Sequence, residues 1–260
     1  MEHHERTLGD YVDSVREDPG TLAVIAVGSV ARGSERPDSD VDVYLLVDDD
    51  AFDAALARNR ISWIEPRDAH YAGGYVDVKL ASPTVLATAA ESGDDPMRAS
   101  FEGARIAFAR IDGLPEALDA IVRLPDESWD ARVRSQLAQA RIHGGYFLRQ
   151  AEARDDPFLR AHASTHLALA AARAALAERR TLLRGPKYVA ATLERLDLPD
   201  GFLERWRELL AAPGAEAGGR LLEAVESWFG PEPDPDDTLS TFIRDNELAW
   251  LFGEPPPEYR

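Results

Sequence analysis

The stretch that decides the fold is 24-VIAVGSVARGSERPDSDVDVYLLV-47. An apolar run from Val24 to Val27 stops at Gly28-Ser29, a polar turn follows, and a second apolar run opens at Asp40-Val41-Asp42 and ends at Val47. The pattern is strand, tight turn, strand, with two acids where the second strand begins. Successive side chains of a strand point to opposite faces, so Asp40 and Asp42 project together while Val41, Val43 and Leu45 cover the other side. Carboxylates two residues apart sit about 7 Å from each other along the strand, near enough to close on a shared cation. Hard oxygen donors of this kind suit Mg²⁺, which is held by one or two carboxylates, waters and the phosphates of a substrate. Upstream, Gly28 lets a backbone come close to an anion, and Ser29 adds a hydroxyl and an amide N–H where a helix is expected to start.

Position carries this reading, not the acid pair itself. Asp-x-Asp also occurs at Asp38/Asp40, Asp48/Asp50 and Asp234/Asp236, so the pair alone says nothing. The turn also holds the two glycines of a phosphate-binding P-loop, Gly28 and Gly33, but the lysine that should follow the second glycine is Ser34. Arg32 lies inside the loop and cannot replace that lysine, so a P-loop fold is set aside.

Outward from this stretch, residues 4–17 place Leu8, Tyr11, Val12 and Val15 at helical spacing before the stop Asp18-Pro19-Gly20. Asp48-Asp49-Asp50 reads as a cap and solvated first turn for a short helix over 51–58. Strands are expected at 61–64 and 75–80, joined across Tyr71-Ala72-Gly73-Gly74. In the second of these, Tyr75, Asp77 and Lys79 share one face and Val76, Val78 and Leu80 the other, so Asp77 needs a partner. That partner is either a shared site or a simple surface pair with Lys79. Helices follow at 83–91 and 95–101, and 104–109 reads equally as edge strand or helix.

Asp112-Gly113-Leu114-Pro115 is the clearest break, and the expected domains are 1–112 and 113–260. The second is all helical, with segments at 116–122, 126–154, 157–180, 186–196, 201–211 and 216–229. Gly144-Gly145 is a place for a kink or a close neighbour in the second segment. An acidic, proline-rich linker is expected over 230–238 and a tail with a last short helix over 239–260. His162 and His166 stand one helical turn apart, but Ala163 takes the place of the glutamate in a His-Glu-x-x-His zinc motif, which favours a packed helix face. His143 is a candidate to line a cleft beside Tyr146 and Arg149.

At 260 residues and 45% hydrophobic content the chain can bury a substantial core. No apolar run approaches the ~18 residues of a membrane span, and the start Met1-Glu2-His3-His4 is not a signal peptide, so a cytoplasmic protein without a membrane partner is expected. With no cysteine, disulfides and thiolate metal sites are excluded. A net charge of −18 argues against a nucleic-acid polymer as substrate and would draw in a cationic small molecule. Only Lys79 and Lys187 among the 29 basic residues are lysines, so the same acidity is equally that of a salt-adapted host.

Gly28-Ser29, the spacer with Ala31-Arg32-Gly33, and Ser39-Asp40-Val41-Asp42 together resemble the signature of the polymerase-beta-like nucleotidyltransferase superfamily. That superfamily includes aminoglycoside, lincosamide and minimal nucleotidyltransferases. The resemblance covers about the first 110 residues and, more loosely, the helical second domain of antibiotic-modifying members. It implies an α+β protein, a mixed sheet with flanking helices followed by a helical bundle, acting as a monomer or homodimer. It also implies two Mg²⁺ ions on Asp40 and Asp42, with ATP or another nucleoside triphosphate as co-substrate. Asp77 matches the family's third carboxylate, as metal ligand or as base toward an acceptor hydroxyl. Gly28 and Ser29 would position the β- and γ-phosphates. Arg32 would neutralise leaving-group charge or anchor the loop to Glu35 or Asp38. Lys187, in the first turn of a helix opened by Pro186, would reach the triphosphate or remain a surface lysine. The expected reaction moves a nucleoside monophosphate, AMP from ATP, onto a hydroxyl of a small molecule such as an aminoglycoside-like antibiotic. The alternatives are AMPylation of a partner protein and nucleotide binding without turnover.

Overall fold

The computed structural model describes residues 1–66, 69–230 and 234–253. Contacts divide the chain into two compact units, Met1–Leu124 and Pro125–Arg260. The first contains α1 (Glu2–Val15), β1 (Ala23–Ala26), α2 (Gly28–Ala31), β2 (Val41–Leu46), α3 (Asp49–Ala57), β3 (Ser62–Glu65), β4 (Val76–Ala81), α4 (Pro83–Ser92), α5 (Asp95–Ser100), β5 (Arg105–Ala109) and α6 (Leu114–Val122). Its five strands lie in the order β3-β4-β2-β1-β5, with β2 and β4 parallel and every other pair antiparallel. The sheet is therefore mixed, as expected. The ambiguous segment 104–109 resolves as the edge strand β5, paired with β1 across an irregularity at Val24/Ile25.

Both sheet faces are covered, because the strands alternate apolar residues on each side. One face presents Val24, Ala26, Val41, Val43, Val76 and Val78 to Leu8 and Tyr11 of α1. The other presents Ala23, Ile25, Tyr44, Leu46 and Ala81 to Leu86 and Ala89 of α4 and to Leu114, Leu118 and Ile121 of α6. Asp48 caps α3 by accepting from the Ala51 N–H at 2.7 Å, which is the role read from its sequence. Arg98 is buried, and its guanidinium donates to the carbonyls of Gly93, Ala90 and Ile121 at 2.7, 3.1 and 2.8 Å. It thereby satisfies the ends of α4 and α6 while meeting its own need for partners.

Gly113 does start a new element, in the left-handed conformation with φ 76°. The helix it starts, however, packs Leu114, Leu118 and Ile121 into the first core, so the units part at Pro125 and not at the expected residue 113.

The second unit contains α7 (Asp126–Arg141), a π-helical turn (Ile142–Phe147), α8 (Leu148–Ala153), α9 (Pro157–Glu178), a 3-10 turn (Pro186–Tyr188), α10 (Val189–Leu193), α11 (Phe202–Ala211), α12 (Ala215–Phe229) and α13 (Thr238–Asp245). Its core surrounds α9, whose Ala168, Ala171, Ala172 and Ala175 are small enough to let Leu137, Leu148, Phe202, Leu209 and Leu221 close in. The expected single helix over 126–154 is interrupted by the π turn that contains Gly144 and Gly145. A Cβ at Gly144 would meet Leu167 at 3.1 Å and Leu222 at 3.3 Å, so the glycine is there for a close neighbour. Of the expected linker and tail, residues 231–233 and 254–260 lie outside the described residues.

Candidate functional site

The parallel pairing of β2 with β4 sets Asp42 directly beside Asp77. Because side chains alternate along each strand, neighbours in register project from the same face, and Asp40 projects with Asp42. The structure brings one donor oxygen from each of Asp40, Asp42 and Asp77 within 4.8 Å of the others. All three side chains are half-buried. Among the described residues this is the group of three potential ligands that converges so closely.

The turn after β1 is shaped around these acids. Gly28 has φ +71°, and a Cβ there would collide with the Asp42 carboxylate. Glycine is thus required twice, for the left-handed backbone and for the approach of the turn to an acid. The Val27 N–H donates to the Asp42 carbonyl at 3.0 Å, and the N–H groups of Arg32 and Ser34 close the turn on the carbonyls of Gly28 and Ser29.

Lys79, two residues beyond Asp77 on the same face, donates to Asp77 Oδ2 at 2.7 Å and lies 3.6 Å from Asp42 Oδ1. The expected alternatives for Asp77, a shared acidic site or a pair with Lys79, thus occur together. Burial, and next the charge of Asp40, raise the pKa of Asp42 by more than the neighbouring Lys79 lowers it. Burial works against the Lys79 ammonium, but its bond to Asp77 and the charges of Asp77 and Asp42 hold its pKa above the ordinary value. The Asp42 and Lys79 shifts agree: one ammonium is drawn to more negative charge than it can balance. Three hard oxygen donors with surplus negative charge fit a divalent cation such as Mg²⁺.

A second set of residues surrounds Asp40. The Tyr75 hydroxyl bonds to Asp40, and this bond together with the Asp40 charge raises the Tyr75 pKa. Tyr71 donates to the Ser39 carbonyl at 2.5 Å, and the buried His4 meets the same carbonyl through Nε2 at 3.0 Å. Tyr75 and Lys79 were visible as residues sharing the face of Asp77. Nothing in the pattern marked His4 or Tyr71.

Of the other candidates, Ser29 follows Gly28 in α2. The side chain of Arg32 runs against Gly103, where a Cβ would stand 2.9 Å from Arg32 Cγ. Near the same turn, Glu35 pairs with the Met1 amino group and Asp38 lies 3.5 Å from Arg36. Lys187 belongs to the second unit, where its ammonium sits 4.9 Å from the Tyr188 ring centroid. His143, His162 and His166 gather with ring centroids 4.3 to 5.7 Å apart, and His143 also packs against Phe147 and Phe242. His162 and His166 thus pack against each other and against His143. An open cleft of about 520 Å³, lined in part by Asp49, Phe52, Ser82, Thr84 and Met97, shares no residue with the acidic cluster.

Residues 9–90 match the family model described as nucleotidyltransferase domain, a span that contains the turn and all three acids. A solved nucleotidyltransferase-like protein from Exiguobacterium sibiricum 255-15 is similar in fold, with a TM-score of 0.52 at 14% sequence identity. The similarity covers 96% of this chain and 79% of that one. No curated protein sequence matches the chain. The first unit therefore carries a nucleotidyltransferase domain, and no helix among the described residues is long and apolar enough to cross a membrane.

Proposed function

We propose that the protein transfers a nucleoside monophosphate, AMP from ATP, to a hydroxyl group of a small, hydroxylated and cationic acceptor. The observation that carries this reading is the convergence of Asp40, Asp42 and Asp77 behind the Gly28 turn, within a span matched as a nucleotidyltransferase domain. Asp40, Asp42 and Asp77 would hold Mg²⁺, two ions in the full complex, which when bound offsets negative charge on the triphosphate.

The chain's own residues do the rest. Gly28 leaves the turn bare, and Ser29 offers its hydroxyl and amide N–H to the β- and γ-phosphates. Arg32 balances charge that develops on the departing pyrophosphate. Asp77 takes the proton of the acceptor hydroxyl while Lys79, bonded to Asp77 Oδ2, fixes the orientation of that carboxylate. The freed oxygen forms a bond to the α-phosphorus, and the bond from that phosphorus to the bridging oxygen breaks, so that pyrophosphate leaves with the electron pair. Lys187 is assigned to the triphosphate by resemblance alone. Such chemistry rests on positioning and on charge complementarity rather than on covalent steps with the enzyme.

The test incubates purified protein with α-³²P-labelled ATP, Mg²⁺ and a panel of hydroxylated amines, following pyrophosphate release and the fate of the label. Label on a small molecule supports the proposal, and its loss in Asp42→Asn ties it to the cluster. Label on a protein band from added cell extract would replace it with protein AMPylation. Heat of Mg-ATP binding without pyrophosphate release would replace it with a binding role.

A further inference from the structure

We propose that His4 and Tyr71 are positioning residues for Asp40, acting through two hydrogen bonds on the carbonyl of the residue that precedes it. This inference rests on the metal-binding reading of the acidic cluster. Asp42 and Asp77 lie inside strands, held by the ladder between β2 and β4. Asp40 does not: β2 begins at Val41, whose N–H donates to the Tyr75 carbonyl at 3.1 Å, so Asp40 sits one residue outside the ladder. A ligand there would swing with the polar turn unless something else held its peptide.

The carbonyl of Ser39 supplies the hold. It accepts the Tyr71 hydroxyl at 2.5 Å and His4 Nε2 at 3.0 Å. The rest of Ser39 is fixed as well, its N–H donating to the Arg36 carbonyl at 3.0 Å and its Oγ accepting from the Arg36 N–H at 2.9 Å. The His4 and Tyr71 rings meet edge-on with centroids 4.9 Å apart, so each braces the other. His4 is wholly buried on the face of α1 that continues into Leu8 and Tyr11. An apolar residue would serve packing there; a histidine is explained by the carbonyl it reaches.

A carbonyl can only accept, so Nε2 of His4 must carry the proton, and Nδ1, which is buried with no hydrogen-bond partner, must be bare in the neutral ring. The two bonds thus specify one tautomer as well as one orientation. Partners behind metal ligands are worth about 10- to 100-fold in metal affinity.

The experiment measures Mn²⁺ binding to the full chain by electron paramagnetic resonance, without nucleotide, alongside thermal unfolding. His4→Leu and Tyr71→Phe are expected to weaken Mn²⁺ binding about 10- to 100-fold. His4→Gln, whose amide nitrogen reaches where Nε2 was, is expected to restore most of it. Nitrogen-15 spectra should show His4 protonated on Nε2. Wild-type Mn²⁺ affinity in Tyr71→Phe and in folded His4→Leu would overturn the inference, as would an Nδ1-protonated His4. Should His4→Leu fail to fold, Tyr71→Phe and His4→Gln still decide it. Asp40→Asn and Asp42→Asn serve as the separate control. If they bind Mn²⁺ as wild type does, the metal reading itself fails; if they lose it while the His4 and Tyr71 variants do not, only the positioning role fails.

Discussion

Gly28 has no side chain because the Asp42 carboxylate occupies the space a methyl group would need, and because its φ is +71°. In Gly28→Ala the left-handed backbone alone costs about 1–2 kcal/mol, which corresponds to a fall of roughly 2–8 °C in thermal midpoint. The displaced carboxylate costs more in function: nucleotidyl transfer is expected to fall about 10- to 100-fold, as when a metal ligand loses its support. Calorimetry and a pyrophosphate-release assay on the same preparation check both. Asp42 itself carries a linked pH prediction. Its folded pKa is raised by burial and then by Asp40, so ionised Asp42 opposes folding at neutral pH, and that opposition fades as pH falls through the raised value. Asp42→Asn is therefore expected to abolish transfer yet to raise the thermal midpoint in chelator near pH 7.5, with the gain vanishing at roughly pH 3. A lower midpoint near neutral pH would mean that Lys79 outweighs the burial and the other acids.

Among the elements, β1, β2 and β4 were legible because strand alternation is local: the positions of Asp42 and Asp77 on their strands, with Asp40 one residue ahead of β2, follow from a period of two. That β2 and β4 run parallel and in register, with Asp42 against Asp77, is a non-local fact that no spacing contains. The same limit explains α6, whose apolar stripe was clear although the core receiving it was not. It also explains His4, a polar residue on an apolar helix face whose partner lies 35 positions away in sequence. The π turn at Ile142–Phe147 was hidden for another reason, since one wider turn barely disturbs helical spacing. That turn holds His143, fully buried, whose pKa is pushed down to about 3 by burial and then by the charges of His166 and His162. A folded pKa below the unfolded value near 6.5 means that the unfolded chain takes up the proton first, so stability is lost as pH drops below about 6.5. The loss from this one group runs at up to about 1.4 kcal/mol per pH unit until pH ~3. Urea unfolding at pH 7 and at pH 4.5 is expected to show a smaller acid-induced loss in His143→Phe than in wild type. Equal losses would mean that the buried ring is charged or reached by solvent.

At the scale of the whole molecule, chemistry and bulk are unevenly shared. Asp40, Asp42, Asp77 and Gly28, with His4 and Tyr71 behind them, all belong to Met1–Leu124, whose sheet has apolar cores on both faces. Pro125–Arg260 has a separate core around α9 and contains Lys187. A fragment of residues 1–124 ends between α6 and α7, so the cut severs no helix. It is expected to fold and to bind Mn²⁺ within about threefold of the full chain, a difference of less than about 0.7 kcal/mol. Transfer to the acceptor is expected to fall by about 100-fold or more, because the three acids and the residues that position Asp40 all lie in the fragment, whereas turnover also needs the substrates held in line. Relaxation-based Mn²⁺ titration and pyrophosphate release, run side by side on fragment and full chain, separate these two requirements. A folded fragment that transfers at the full-chain rate would remove Lys187 from the reaction and leave the acidic cluster's role intact. A folded fragment without Mn²⁺ affinity would mean that the cluster is incomplete without the helical unit.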